Sequence, residues 1–134
     1  MNVSLVSERY AAALFELAIE KNLVQEVFTD SGFILETCRN SHDLRLFLKS
    51  PIINTGKKLT IIRSLFGQHL NNLTLRYLEI MVRKRREKFV MEVASEFLEI
   101  FKEYRNILTV VYRSPMPPGE ETRQQVIALM KQYT

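Results

Sequence analysis

The stretch Ser7–Lys21, SERYAAALFELAIEK, decides how the rest of the chain is read. Projected on a helix at about 100° per residue, Tyr10, Ala11, Ala12, Ala13, Leu14, Phe15, Leu17, Ala18 and Ile19 cover an arc of about 240°. Only Glu16 and Glu20 mark a solvated side. A helix resting on one core needs an apolar arc only a little over about 100° wide. The pattern therefore predicts a helix, and it predicts apolar surface beyond what one core uses.

Working outward, Asn, Ser, Gly and Pro51 divide the first hundred residues into helical stretches joined by short connections. The first spans about Ser4 to Lys21 and the second about Val24 to Arg39. On the second, Val24, Val27, Phe28, Ile34, Leu35 and Cys38 share an arc of about 120°, the width of an ordinary amphipathic helix. Ser41 can cap a short third helix, HDLRLFLK, which Pro51 keeps from continuing. A fourth helix within INTGKKLTIIRSLFG has Asn54 or Thr55 at its cap and Gly67 near its end.

The fifth helix, about Leu73 to Arg85 after a capping Asn71 or Asn72, behaves like the first. Leu75, Leu78 and Val82 make one face, and Tyr77, Ile80 and Met81 widen it to about 220°. A sixth, about Lys88 to Arg105, sets Phe89, Val93, Phe97, Ile100, Phe101 and Tyr104 against a solvated row of Glu92, Glu96, Glu99 and Glu103. After Asn106, ILTVVYR is rich in β-branched residues and predicts a strand over 107–113; SPMPPGEE reads as a loop, and 119–132 as a further amphipathic helix. The expected fold is all-α: a six-helix N-terminal bundle over 1–105, followed by a strand and a helix that begin an incomplete α/β C-terminal domain over 106–134.

Composition narrows the function. The chain is 46% hydrophobic and 25% charged, as a globular domain is, and no apolar run approaches the ~18 residues of a membrane span. Neither a basic flank with an apolar core nor an Arg-rich leader opens the chain. A single cysteine, Cys38, excludes an intramolecular disulfide and a multi-cysteine metal site, and it lies on the apolar arc of the second helix as a small buried residue would. His42 and His69 sit on separate stretches with no metal-ligand spacing, LFGQHLNN has no phosphate-cradling pattern, and nothing desolvates the Glu row into an acid/base pair. No enzyme, cofactor or metal is expected.

The net charge of +4 resides entirely in RKRREK, Arg83 to Lys88, because the remaining residues carry 14 basic and 14 acidic side chains. Those cations surround a helix end, where they complement the dipole, and they lack the one-sided arrangement with interleaved aromatics of a nucleic-acid surface. A contact with an acidic protein partner is the functional alternative to that local role. A helical nucleic-acid-binding module built on this cluster is the runner-up reading for the whole chain.

Four segments taken in order resemble the delta subunit of F-type ATP synthases, the oligomycin-sensitivity-conferring protein family: RYAAALFELA at Arg9–Ala18, LRLFLKSPII at Leu44–Ile53, YLEIMVRKRR at Tyr77–Arg86, and EFLEIFKEYRNILTVVYRSPMP from Glu96. The family is longer, so the resemblance implies a chain that stops within the C-terminal domain. Arg85 stands where the family usually has Gly or Asn, which implies a longer or differently capped turn. The resemblance further implies a non-catalytic stator subunit, peripheral on the cytoplasmic face of a bacterial membrane and not inserted in it, serving rotary proton-driven ATP synthesis. Its N-terminal bundle would bind the N-terminal helix of an alpha subunit on the catalytic head, and its C-terminal domain would contact b-type peripheral stalk subunits. In such a family the partner helix lies between the first and fifth helices, the two with excess apolar surface. The pattern places Tyr10, Ala13, Leu14 and Leu17 on one wall and Tyr77, Ile80, Met81 and Lys84 on the other. Phe15, Ala11, Ala18, Leu75, Leu78 and Val82 would face the core. Left without its partner, such a groove and an unpaired strand could promote artificial self-association.

Overall fold

The structure, a computed structural model, describes residues 4–113. Its elements in order are α1 (Leu5–Glu20), α2 (Val24–Asn40), α3 (His42–Lys49), α4 (Thr55–Phe66), α5 (Asn72–Arg83), a 3₁₀ turn (Glu87–Phe89) and α6 (Val90–Arg113). Four of the six helices start where a side-chain oxygen can accept an orphan amide: Ser4 from Ser7 N, Ser41 from Leu44 N, Asn54 from Lys57 N and Asn71 from Leu73 N. The polar punctuation in the sequence thus fixes the starts of α1, α3, α4 and α5.

α6 is the axis of the bundle. It packs chiefly on α1 and α2, while α4 packs on α5. Phe97 and Ile100 are fully enclosed, and Phe15 of α1 lies against both Phe97 and Tyr104 of α6, with ring centroids 5.4 and 5.3 Å apart. Phe28 of α2 meets Phe101 of α6 at 4.1 Å. Cys38 is buried in the same core, and burial pushes its thiol up to about 11 despite the opposing charge of Arg45. It therefore stays a protonated packing group at neutral pH.

Two expectations are corrected here. The expected strand over 107–113 is helical, since α6 continues to Arg113, and the described residues contain no strand at all. A β-branched residue costs only about 0.5 kcal/mol in a helix relative to alanine, and each residue added to an existing helix gains a backbone hydrogen bond. A lone strand would leave its donors and acceptors without partners. The loop and the helix expected over 119–132 lie outside the described residues.

The second correction concerns the glutamate row. Glu99 is exposed as expected, but Glu96 is 9% exposed, and Glu92 accepts hydrogen bonds from Ser7 Oγ at 2.8 Å and Ser4 Oγ at 3.3 Å. The packing of α1 against α6 covers one flank of the row. Burial raises the Glu96 pKa, and the neighbouring Glu8, Glu99 and Glu103 raise it further. In the pH range between its unfolded and folded values, the folded chain holds more protons than the unfolded one, so this group makes stability fall as pH rises. Glu96→Gln should therefore melt a few degrees above the parent at neutral pH, with the advantage shrinking as pH is lowered through the carboxylate range. Thermal unfolding at a series of pH values checks this, and a variant no more stable at neutral pH would show the carboxylate to be well solvated.

Candidate functional site

The apolar surplus on α1 and α5 resolves into a core share and a remainder. On α1, Leu14, Ala18, Ala11, Phe15 and Ala12 are buried, which accounts for about 160° of the arc. The remainder includes exposed Ala13 and half-buried Tyr10, Leu17, Ile19 and Val6, and Leu5 in the first turn is 55% exposed. On α5, Thr74, Tyr77, Leu78, Met81 and Val82 are buried, leaving Ile80, 41% exposed, and half-buried Leu73 outside. Leu75, expected in the core, is half-buried.

α1 and α5 touch through Tyr77, whose hydroxyl donates to the Tyr10 carbonyl at 2.6 Å and whose ring meets that of Tyr10 edge-on at 5.9 Å. Burial, with the nearby Tyr10, raises the Tyr77 phenol pKa, so its proton stays in place to make this bond. Of the eight positions expected to wall a groove, Ala13, Ile80 and Lys84 are exposed, Tyr10 and Leu17 are half-buried, and Leu14 at 4%, Tyr77 at 8% and Met81 at 1% are buried. The last three face the core, where they line a small pocket with Ile34, Val93 and Ala94. Between the end of α1 and the start of α5 lies an open pocket of about 370 Å³ lined by Lys21, Leu23, Asn71, Asn72, Leu73 and Arg76.

Both α1 and α5 are anchored at their N-termini by carboxylates from other helices. Asp30 of α2, itself buried, accepts from the Asn71 backbone N–H at 2.9 Å and from Thr74 Oγ1 at 2.7 Å, holding the first turn of α5. Glu92 of α6 does the same for α1 through Ser4 and Ser7, while Ser4 Oγ caps the Ser7 amide at 3.1 Å. A negative charge at these ends also favours the helix dipoles. Sequence reading missed both anchors. For Asp30 a signal existed: it falls within about 40° of Ile34 on the projection of α2, too near the apolar arc for a solvated acid.

The ends of the two helices match as well. After α1, Leu23 N–H reaches the Ala18 carbonyl at 2.8 Å and Asn22 takes φ 57°; after α5, Arg86 N–H reaches the Met81 carbonyl at 2.7 Å and Arg85 takes φ 58°. The turn after α5 is thus the compact closure that Gly or Asn would favour, neither longer nor differently bonded, and Arg85 bears the left-handed backbone itself.

The basic run does not form one surface. Arg83, Lys84, Arg85, Arg86 and Lys88 are exposed around the turn, but Glu87 faces inward, where Lys58 Nζ donates to its Oε1 at 2.5 Å and to the Ser50 carbonyl at 2.7 Å. The run therefore docks the α5–α6 connection onto α4, a structural job, and no stacking ladder accompanies it as nucleic-acid binding would need. Among the described residues, no group of three or more His, Cys, Asp or Glu side chains is arranged to hold a metal ion, and no helix is long and apolar enough to cross a membrane.

A family model described as the ATP synthase delta (OSCP) subunit matches residues 6–134. ATP synthase subunit delta of Cytophaga hutchinsonii is 32% identical over 130 residues, covering 97% of this chain and 71% of the relative. That of Salinibacter ruber is 30% identical over 134 residues, covering 100% and 70%. In fold, the chain is similar to one in a mitochondrial ATP synthase hexamer from Toxoplasma gondii, with a TM-score of 0.64 at 24% identity, covering 94% of this chain and 71% of that one.

Proposed function

The chain belongs to the ATP synthase delta (OSCP) subunit family, and on that premise we propose that it ties the catalytic head to the peripheral stalk by seating the N-terminal helix of an alpha subunit between α1 and α5. Members of this family are structural rather than catalytic subunits of the complex. The mode is helix-in-groove recognition, in which an amphipathic helix lays its apolar face along a cleft. The observation that supports it is that Ala13, Leu17 and Tyr10 on α1 and Ile80 on α5 are apolar side chains the core leaves at least partly exposed, on two helices that meet at Tyr10 and Tyr77. Small, exposed Ala13 lets a partner backbone approach closely. Desolvating three or four such anchors contributes about 1.5–3 kcal/mol each before association entropy is subtracted. Residues beyond the bundle would contact b-type stalk subunits, so that the chain resists torque on the head during proton-driven ATP synthesis at the cytoplasmic face of a bacterial membrane.

Ala13→Asp tests the groove. Since Ala13 is exposed, the variant should keep its helicity and melting temperature while its affinity for an alpha-subunit N-terminal peptide falls at least tenfold, read by isothermal titration. A folded variant that binds as well as the parent would remove the groove assignment. A variant that unfolds would place Ala13 in the core, and Ile80→Asp then becomes the test on the opposite wall.

A further inference from the structure

The two rims of the groove differ in charge. On α5, Arg76, Arg83 and Lys84 are exposed on either side of Ile80, and Lys21 joins Arg76 around the 370 Å³ cavity at the groove's end. The one carboxylate on α5, Glu79, accepts from Nε of Arg63 of α4 at 2.8 Å, and Arg63, with the nearby charges of Arg83 and Arg76, holds its pKa low. Lys21, Arg76, Arg83 and Lys84 make no ion pair among the described residues. On α1 the exposed outer edge carries Glu16 and Glu20, with exposed Arg9 at the angle between them. A helix lying in this groove would thus meet cations on its α5 flank and a net negative charge of one on its α1 flank.

Resting on the groove reading above, we propose that the seated helix is an acidic-flanked amphipathic helix. It carries two carboxylates about two turns apart beside its apolar stripe, one reaching Lys21 and Arg76 at the cavity and the other Arg83 and Lys84. The spacing follows from α5 itself, where seven or eight residues separate Arg76 from Arg83 and Lys84, a rise of about 10–12 Å. A helix lying alongside presents side chains at i and i+7 with the same separation. The asymmetry also selects direction. Reversing a helix end for end while keeping its stripe in the groove exchanges its flanks, so only one polarity sets the acids against α5. Such complementarity acts on partner choice and encounter rate more than on total affinity.

The probes are synthetic 20-residue peptides sharing one stripe of leucines at i, i+3, i+4 and i+7, with Glu, Gln or Lys at two flanking positions seven residues apart. With the full chain at low ionic strength, the Glu peptide should bind about threefold to tenfold more tightly than the Gln peptide, and the Lys peptide more weakly than either. The differences should shrink in about 0.5 M salt. The double variant Arg76→Glu, Lys84→Glu should invert the order, with unchanged helicity confirming its fold. Equal affinity for all three peptides, abolished by Ala13→Asp, would overturn the charge assignment and leave the groove standing. Failure of every peptide to bind, the alpha N-terminal peptide included, would overturn the groove reading and this inference with it.

Discussion

Lys58→Met should lower the stability of the bundle by about 3–5 kcal/mol, because it removes one member of an enclosed ion pair and strands the other. The Lys58 and Glu87 side chains are 3% and 11% exposed, and the ammonium holds both Glu87 Oε1 and the Ser50 carbonyl. Without it, a carboxylate whose other oxygen, Oε2, already lacks a partner would be left buried with no positive charge beside it. The double variant Lys58→Met, Glu87→Leu should recover most of the loss, since an apolar pair of similar volume often replaces a buried ion pair at little cost. Urea unfolding of the parent, both single variants and the double variant closes the cycle. If Lys58→Met loses under 1 kcal/mol, Glu87 turns to water when released and the pair does not hold the α5–α6 connection in place.

How much was legible in the sequence follows from what each signal depends on. The periods of α1, α2 and α5, the start of α6 and the polar caps before α1, α3, α4 and α5 are local, and they appear in the structure within a residue or two of where the pattern puts them, whereas α6 runs eight residues past its expected end at Arg105. The 107–113 segment misled because β-branched composition reports a preference that matters only when neighbouring strands exist to pair with. The wide arcs of α1 and α5 were a sound signal of surplus apolar surface, but their division was not readable. Leu14 and Met81 look like wall residues on a helical projection, yet they are buried in the core. A projection gives the angle of a side chain and not which neighbour arrives at that angle. The polar anchors were invisible for the same reason: Asp30 meets Asn71 and Thr74 across more than forty positions, and Lys58 meets Glu87 across 29. Such long-range pairs leave no periodic trace.

Asp30→Ala should cost about 2–4 kcal/mol and weaken the groove at the same time. Hydrogen bonds to a charged group contribute about 1.5–3 kcal/mol each, and the substitution leaves the Asn71 amide and the Thr74 hydroxyl without their acceptor at a helix start. Asp30→Asn keeps one acceptor oxygen and should lose about half as much, whereas Thr74→Val combined with Asp30→Ala should cost less than the sum of the two because the hydroxyl is no longer stranded. The consequence for binding comes from position. Asn71, Asn72, Leu73 and Arg76 line the pocket beside the end of α1, so loosening the first turn of α5 moves the cation and the apolar edge that a partner helix would meet. Amide exchange should therefore accelerate at Asn71, Leu73 and Leu75 in the Ala variant, while α6 stays protected under conditions where the bundle remains folded. An alpha N-terminal peptide should lose affinity in proportion to that local opening. Unchanged exchange at the start of α5 would mean that the Asn71 side-chain cap alone holds the helix, and Asp30 would then be a buried charge with no part in shaping the groove.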